Sequence, residues 1–196
     1  MIKLLAKSAA DGLTPIELSN TNIVEIRSLN LSSISAYKGN SKKLSEQLKK
    51  SHGLAIPRKG RATGREGARA LWFGQHTLLV GGKPDEKLTK FGILTDQSDA
   101  WVILRMSGGS IEDVLMRLTP IDVRLKAFKS GDVVRTSLMH INVTLHRIGT
   151  DTIDVYGFRS MAKTLCHELS QALSTVVARN YGNIKLVTIH YTLDSE

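Results

Sequence analysis

The sequence predicts an α+β fold, mostly antiparallel sheet with helices laid on one face. Three observations carry this. Short alternating apolar/polar runs dominate the chain, and most are separated by glycine-containing turns too short for a crossover helix. Only three stretches have helical spacing, and they lie far apart in sequence rather than alternating with every strand. The 196 residues are 41% apolar, enough to bury one real core.

Residues 1–20 read as a polar N-terminal arm containing Gly12 and Pro15. Residues 21–196 are expected to form one domain. Asn22 to Tyr37 alternates and predicts a strand with a polar face. Ser41 to Lys50 predicts a short helix with a thin stripe, Leu44 and Leu48. Residues 57–69, with three glycines and a proline, predict an irregular basic loop. Residues 70–73 and 77–80 bracket Gly74-Gln-His76 as a hairpin. Residues 81–90 form a turn-rich link containing Pro84. Residues 93–106 predict two strands bent at Asp96-Gln-Ser-Asp99.

Ser110 is placed to cap a helix over 111–118, with Asp113 at N3, and Thr119-Pro120 stops it. Val133 to Ile148 predicts one long strand, and Gly149-Thr-Asp151 turns it into a partner at 152–156. Ser160 is placed to cap the longest helix, about 161–179. Its apolar positions Met161, Leu165, Leu169, Ala172, Leu173, Val176 and Val177 form a core-facing stripe. Residues 184–191 predict a final strand.

Charge is unevenly placed. The chain carries 27 Lys+Arg against 18 Asp+Glu. Of these, 13 basic and 5 acidic residues fall in the first 70. Such an excess invites a nucleic-acid reading. The basic stretch has no aromatic residue for base stacking, and the chain has no paired Cys/His finger spacing. The lysines around the first helix read as a solvated face. The basic stretch suits docking on an acidic protein surface, with Arg58, Lys59, Arg61, Arg65 and Arg69 as its contact residues.

No run approaches the ~18 apolar residues of a membrane span, and the start, Met1-Ile-Lys-Leu-Leu-Ala-Lys7, reads as no signal peptide. The single Cys166 excludes an internal disulfide and suits a reducing, cytoplasmic compartment.

Tests for chemistry come back bland. Gly60 to Gly67 lacks a Walker ending, and Ser107-Gly-Gly-Ser110 is explained by a turn and a cap. His167-Glu168 starts like a zinc-protease motif, but Gln171 stands where the second His is needed. His140 and His146, on one expected strand, are too far apart to share an ion. Cys166 reads as a small buried hydrophobe. Asp96 and Asp99 read as turn formers rather than an acid/base pair. No catalytic, cofactor or metal residue is assigned.

The region from Ala70 onward resembles a known family. Ala70-Leu-Trp-Phe-Gly74, Leu78-Leu-Val80, Thr95-Asp-Gln-Ser-Asp-Ala-Trp101, Ser107-Gly108 and Leu115-Met-Arg-Leu-Thr-Pro-Ile-Asp122 carry it. Phe128, Gly131, Arg135-Thr-Ser-Leu138 and Arg159-Ser160 follow in the same order, and Gly53-Leu-Ala-Ile-Pro57 precedes them. The pattern, over about residues 50–180, is similar to the gamma subunit of heterotetrameric sarcosine oxidase.

The resemblance implies a fold like the N-terminal part of the aminomethyltransferase folate-binding domain. It implies assembly with alpha, beta and delta subunits, and neither nucleic acid nor membrane as partner. It implies a complex that oxidatively demethylates sarcosine to glycine, forming hydrogen peroxide and methylene-tetrahydrofolate. FAD, FMN, NAD, zinc and tetrahydrofolate would sit on the other subunits, leaving this chain a non-catalytic assembly role. The wider folate-binding family has a catalytic Asp near a glycine-containing hairpin. The corresponding stretch, Met139-His-Ile-Asn-Val-Thr-Leu-His146, has neither glycine nor aspartate. A stand-alone folate-binding enzyme and a nucleic-acid-binding module remain the alternative expectations.

Overall fold

The computed structural model describes residues 6–27 and 30–193. Eleven strands are described: β1 Ile16–Leu18, β2 Thr21–Glu25, β3 Leu31–Ala36, β4 Ala62–Arg65, β5 Ala68–Phe73, β6 His76–Gly81, β7 Gly92–Asp96, β8 Trp101–Gly108, β9 Val133–Leu138, β10 Ile141–Gly149 and β11 Thr152–Phe158. The helices are α1 Ser41–His52, α2 Ile111–Leu118 and α3 Ala162–Leu193.

The strands form two antiparallel sheets. A six-stranded sheet has the order β1-β2-β8-β11-β10-β9, and a five-stranded sheet the order β4-β5-β6-β3-β7. Strand alternation sorts the side chains into layers. Val102, Leu104 and Met106 of β8, with Ile153 and Val155 of β11, face α2 and α3. Ile103 and Tyr156, from the same two strands, face the second sheet and meet Leu31, Leu71, Phe73 and Leu78. Ile34, Ala70 and Leu79 turn outward onto Leu44 and Leu48 of α1. The mostly antiparallel α+β expectation therefore holds, with the strands divided into two stacked sheets, each carrying helices on its outer face.

The stripe predicted for the longest helix is the one buried. Leu165, Leu169, Leu173 and Val176 are fully buried against the larger sheet, and each stabilises the fold by about 1.5–3 kcal/mol. α2 spans the predicted residues and ends at an extended Thr119.

Several expectations are corrected. The strand expected over 22–37 is two strands in different sheets. Ile26 still donates to Ile103 O at 2.9 Å on β8, whereas Leu31 O already accepts from Gln97 at the other sheet. The strand expected over 133–148 is the hairpin β9–β10, paired Leu138 to Ile141. Its turn is Met139-His140, with Met139 at φ 50, a backbone state uncommon for a residue with a side chain. The stretch 57–69 is not an irregular loop. Its second half is the hairpin β4–β5, paired Arg65 to Ala68 around Glu66-Gly67.

Residues 184–191 lie within α3 rather than in a strand. No proline follows residue 120, so nothing stops the helix as Thr119-Pro120 stops α2. Ser110 makes no side-chain cap bond. Its amide instead donates to Thr21 Oγ1 at 3.3 Å. Ser160, expected to cap α3, lies inside a 3-10 turn, Arg159–Met161, that leads into the helix. In the segment expected as an arm, β1 pairs with β2 and Ala10 is buried.

Candidate functional site

The basic segment is the one sequence-predicted site, and the structure separates its members. Arg58 and Lys59 are exposed on the turn before β4, and Arg65 is exposed at the β4–β5 hairpin. Arg61 pairs with Asp132. The backbone beside it joins the two sheets: Val133 donates to Gly60 O and Ala62 to Gly131 O, both at 2.9 Å. Arg69 is half-buried and lines a small pocket between the sheets with Glu66, Arg105, Asp154 and Tyr156. Arg58 and Lys59 are thus exposed to meet a partner, Arg65 is exposed at the mouth of that pocket, and Arg61 and Arg69 are held against the sandwich.

The inter-sheet pocket is polar and charged. Arg105 holds Asp154 through two hydrogen bonds of 2.8 and 3.1 Å and reaches Glu66 at 2.5 Å. The Arg105 bond and charge hold Glu66 below the usual carboxylate range. Burial pushes Asp154 up, opposed by Arg105. His146 sits opposite Asp154 in the strand register and is 2% exposed. Burial, with the nearby charges of Arg69, Arg105 and Arg61, lowers its pKa to about 3. It is therefore neutral at physiological pH. Tyr156, wholly buried, is pushed up by desolvation. Glu66, Arg69, Arg105, Asp154 and Tyr156 line a cavity of about 50 Å³, too small for an organic substrate.

An aromatic opening lies at the end of the sandwich, where strand ends from both sheets bring aromatic side chains together. A cleft of about 440 Å³ is lined by Trp72, Gly74, Trp101, Arg135, Asn142 and Phe158, among others. Trp101 stacks on Phe158 at 4.7 Å and meets Phe73 edge-on at 4.9 Å. The Arg135 guanidinium lies 5.4 Å from the Phe73 ring centre. Gly74 makes room for it, because a Cβ there would stand 2.9 Å from Arg135 Nη1. No carboxylate is among the lining residues.

Sequence reasoning missed this cleft as a site. The signal available was composition. The chain has only two Trp and four Phe, yet both tryptophans and Phe158 line one opening. All sit at strand ends, where sequence places them far apart.

The other candidates resolve as local structure. Asp96 accepts from the Ser98 amide and hydroxyl at 2.9 and 2.6 Å, as a turn former does. His52 Nε2 accepts from the Asp85 amide at 3.0 Å, and His76 meets Ser35. His140 lies in the β9–β10 turn and His146 between the sheets, so they do not share the strand expected of them. In the 107–110 turn, the Gly108 amide donates to Asp151 O at 3.0 Å. Burial pushes the Cys166 thiol up to about 11, so it is a protonated core group. Among the described residues, no group of three potential ligands is placed to hold a metal ion. None of the described helices is long and apolar enough to cross a membrane.

The architecture defines a class: two antiparallel sheets with helices outside, the α+β arrangement of the aminomethyltransferase-like fold. Among solved structures, one chain of the heterotetrameric sarcosine oxidase from Corynebacterium sp. U-96, in complex with pyrrole 2-carboxylate, shares it with a TM-score of 0.76. That match has 22% identity and covers 88% of this chain and 96% of the other. The glycine cleavage system aminomethyltransferase T from Bartonella henselae matches with a TM-score of 0.53, at 15% identity, over 77% of this chain. This chain spans 45% of that enzyme's length. No protein-family model and no curated protein matches the sequence. The fold implied by the motif resemblance is thus the fold observed.

Proposed function

We propose that this chain is a gamma-type subunit of a heterotetrameric sarcosine oxidase, acting in assembly rather than in chemistry. The observation that carries the reading is the co-extensive fold match: 88% of this chain against 96% of one chain of such an enzyme. The ordered motifs from Ala70 to Ser160 support it. On this reading the partners are alpha, beta and delta subunits in the cytoplasm. FAD, FMN, NAD, zinc and tetrahydrofolate belong to those partners, and the complex converts sarcosine to glycine. Arg58, Lys59 and Arg65 are exposed cations suited to an acidic partner surface.

A stand-alone folate enzyme draws support from the aminomethyltransferase likeness. Neither the corresponding hairpin turn nor the end cleft supplies the carboxylate of that chemistry. The hairpin turn that would bring a catalytic carboxylate forward is Met139-His140, and the end cleft has no lining carboxylate to act as base.

The test is purification of the tagged chain from the organism that encodes it. The proposal predicts co-purification with flavin absorbance and sarcosine-dependent peroxide, and neither from the isolated chain. Peroxide formation by the chain alone would reject the assembly role. Saturable tetrahydrofolate binding to the chain alone, measured by calorimetry, would favour the enzyme reading.

A further inference from the structure

We propose that the aromatic cleft at the end of the sandwich is the seat of an acidic, extended segment of a partner subunit, anchored by one aromatic or aliphatic side chain. This deepens the subunit reading and rests on it for the source of the segment.

Three observations point to that occupant. First, the aromatic surface is concentrated and open. Phe158 remains 43% exposed although it stacks on Trp101, and Trp72 and Trp101 are only half-buried. Trp and Arg lining a concave site are the residue types that dominate protein interfaces. Second, the charge of the cleft has one sign. Arg135 is its only charged lining residue, and none of the described carboxylates pairs with it. Its polar contact is a 3.5 Å bond to Phe73 O. Third, the strand that carries Trp72 is tied to the basic turn, since the Trp72 amide donates to Arg61 O at 3.0 Å. On the other side Phe158 is followed by Arg159, which shares the adjoining hollow with Asp99. Within the cleft itself Arg135 is the cation beside the rings, which complements a carboxylate next to an anchor residue.

Single-stranded nucleic acid also combines rings with phosphates, but it requires a row of free ring faces. Here Trp101 and Phe158 already cover one another, which leaves room for one anchor.

The chain's own fluorescence tests this. Its two tryptophans, Trp72 and Trp101, both line the cleft, so tryptophan emission reports occupancy directly. The full chain is titrated with an acetylated Glu-Asp-Phe-Asp-Glu amide, a Lys-Arg-Phe-Arg-Lys amide and a thymidine decamer. The expected result is a saturable emission change with the acidic peptide alone, weakened by salt. Arg135→Glu and Phe158→Ala should each weaken it about tenfold or more, while Arg135→Lys retains most of it. No saturable response to the acidic peptide overturns the proposal. So does an equal response to the basic peptide, tighter binding of the decamer, or indifference to Arg135→Glu. The titration needs no assembly. A silent cleft in a chain that co-purifies with flavoprotein rejects the docking site alone, and a responsive cleft in a chain that assembles with nothing rejects the subunit reading alone.

Discussion

Acidification should weaken this fold through one residue, His146. Its ring lies between the sheets, 2% exposed, beside Arg69, Arg105 and Arg61, and its Nδ1 has no hydrogen-bond partner. Folding lowers its pKa from an ordinary 6.5 to about 3. The unfolded chain therefore binds the proton more readily than the folded one. The neutral ring's contribution is fully present above pH 6.5 and is lost progressively as pH falls toward 3. At about 1.4 kcal/mol per tenfold change in proton affinity, moving from roughly pH 7 to pH 5 removes about 2 kcal/mol.

Asp154, which faces His146 across the strand pair, titrates in the same environment, so wild type alone does not isolate the effect. His146→Gln keeps a neutral polar side chain at every pH and removes only the titration. Urea unfolding of both proteins at the two pH values measures the difference. Wild type should lose about 2 kcal/mol more than the variant on acidification. Parallel losses would refute the placement of a neutral His146 between the sheets.

Three further outcomes follow from named residues. Arg147 is fully buried, pairs with Glu112 at 2.8 Å and donates to the Val123 and Thr150 carbonyls. Arg147→Ala should cost about 3 kcal/mol, read as a lower urea midpoint at unchanged slope. Replacing Arg58, Lys59 and Arg65 together by Ala should leave stability within about 0.5 kcal/mol while weakening assembly. Arg61→Ala should lower stability by about 0.5–1 kcal/mol, because its partner Asp132 belongs to the contact between the sheets. Thermal melts separate the two sets.

Legibility in the sequence followed the locality of the forces. α2 and the stripe of α3 were readable because 3.6-residue spacing and the Thr119-Pro120 stop act within a few residues. The β5–β6 hairpin was readable because Gly74, at φ 82, marks its turn. The β9–β10 hairpin was not, since Met139 adopts a left-handed backbone that its residue type does not advertise. The break between β2 and β3 was hidden because alternation persists while the strand changes sheets. The basic stretch was misread because its glycines, taken as loop formers, serve a hairpin turn at Gly67 and a close approach at Gly64, where a Cβ would meet Ala68 O at 2.3 Å. The aromatic cleft depends on which strand ends become neighbours. Trp72, Arg135 and Phe158 come from three strands in two sheets, so no local pattern unites them.

On the proposed function, this chain works as one subunit of a sarcosine-oxidising assembly. Native mass spectrometry of the tagged chain, purified from the organism that encodes it, tests this most directly. The expected result is a complex in which this chain is bound to larger, flavin-carrying subunits and which forms peroxide from sarcosine. A chain recovered alone, or one that makes peroxide without partners, would contradict it.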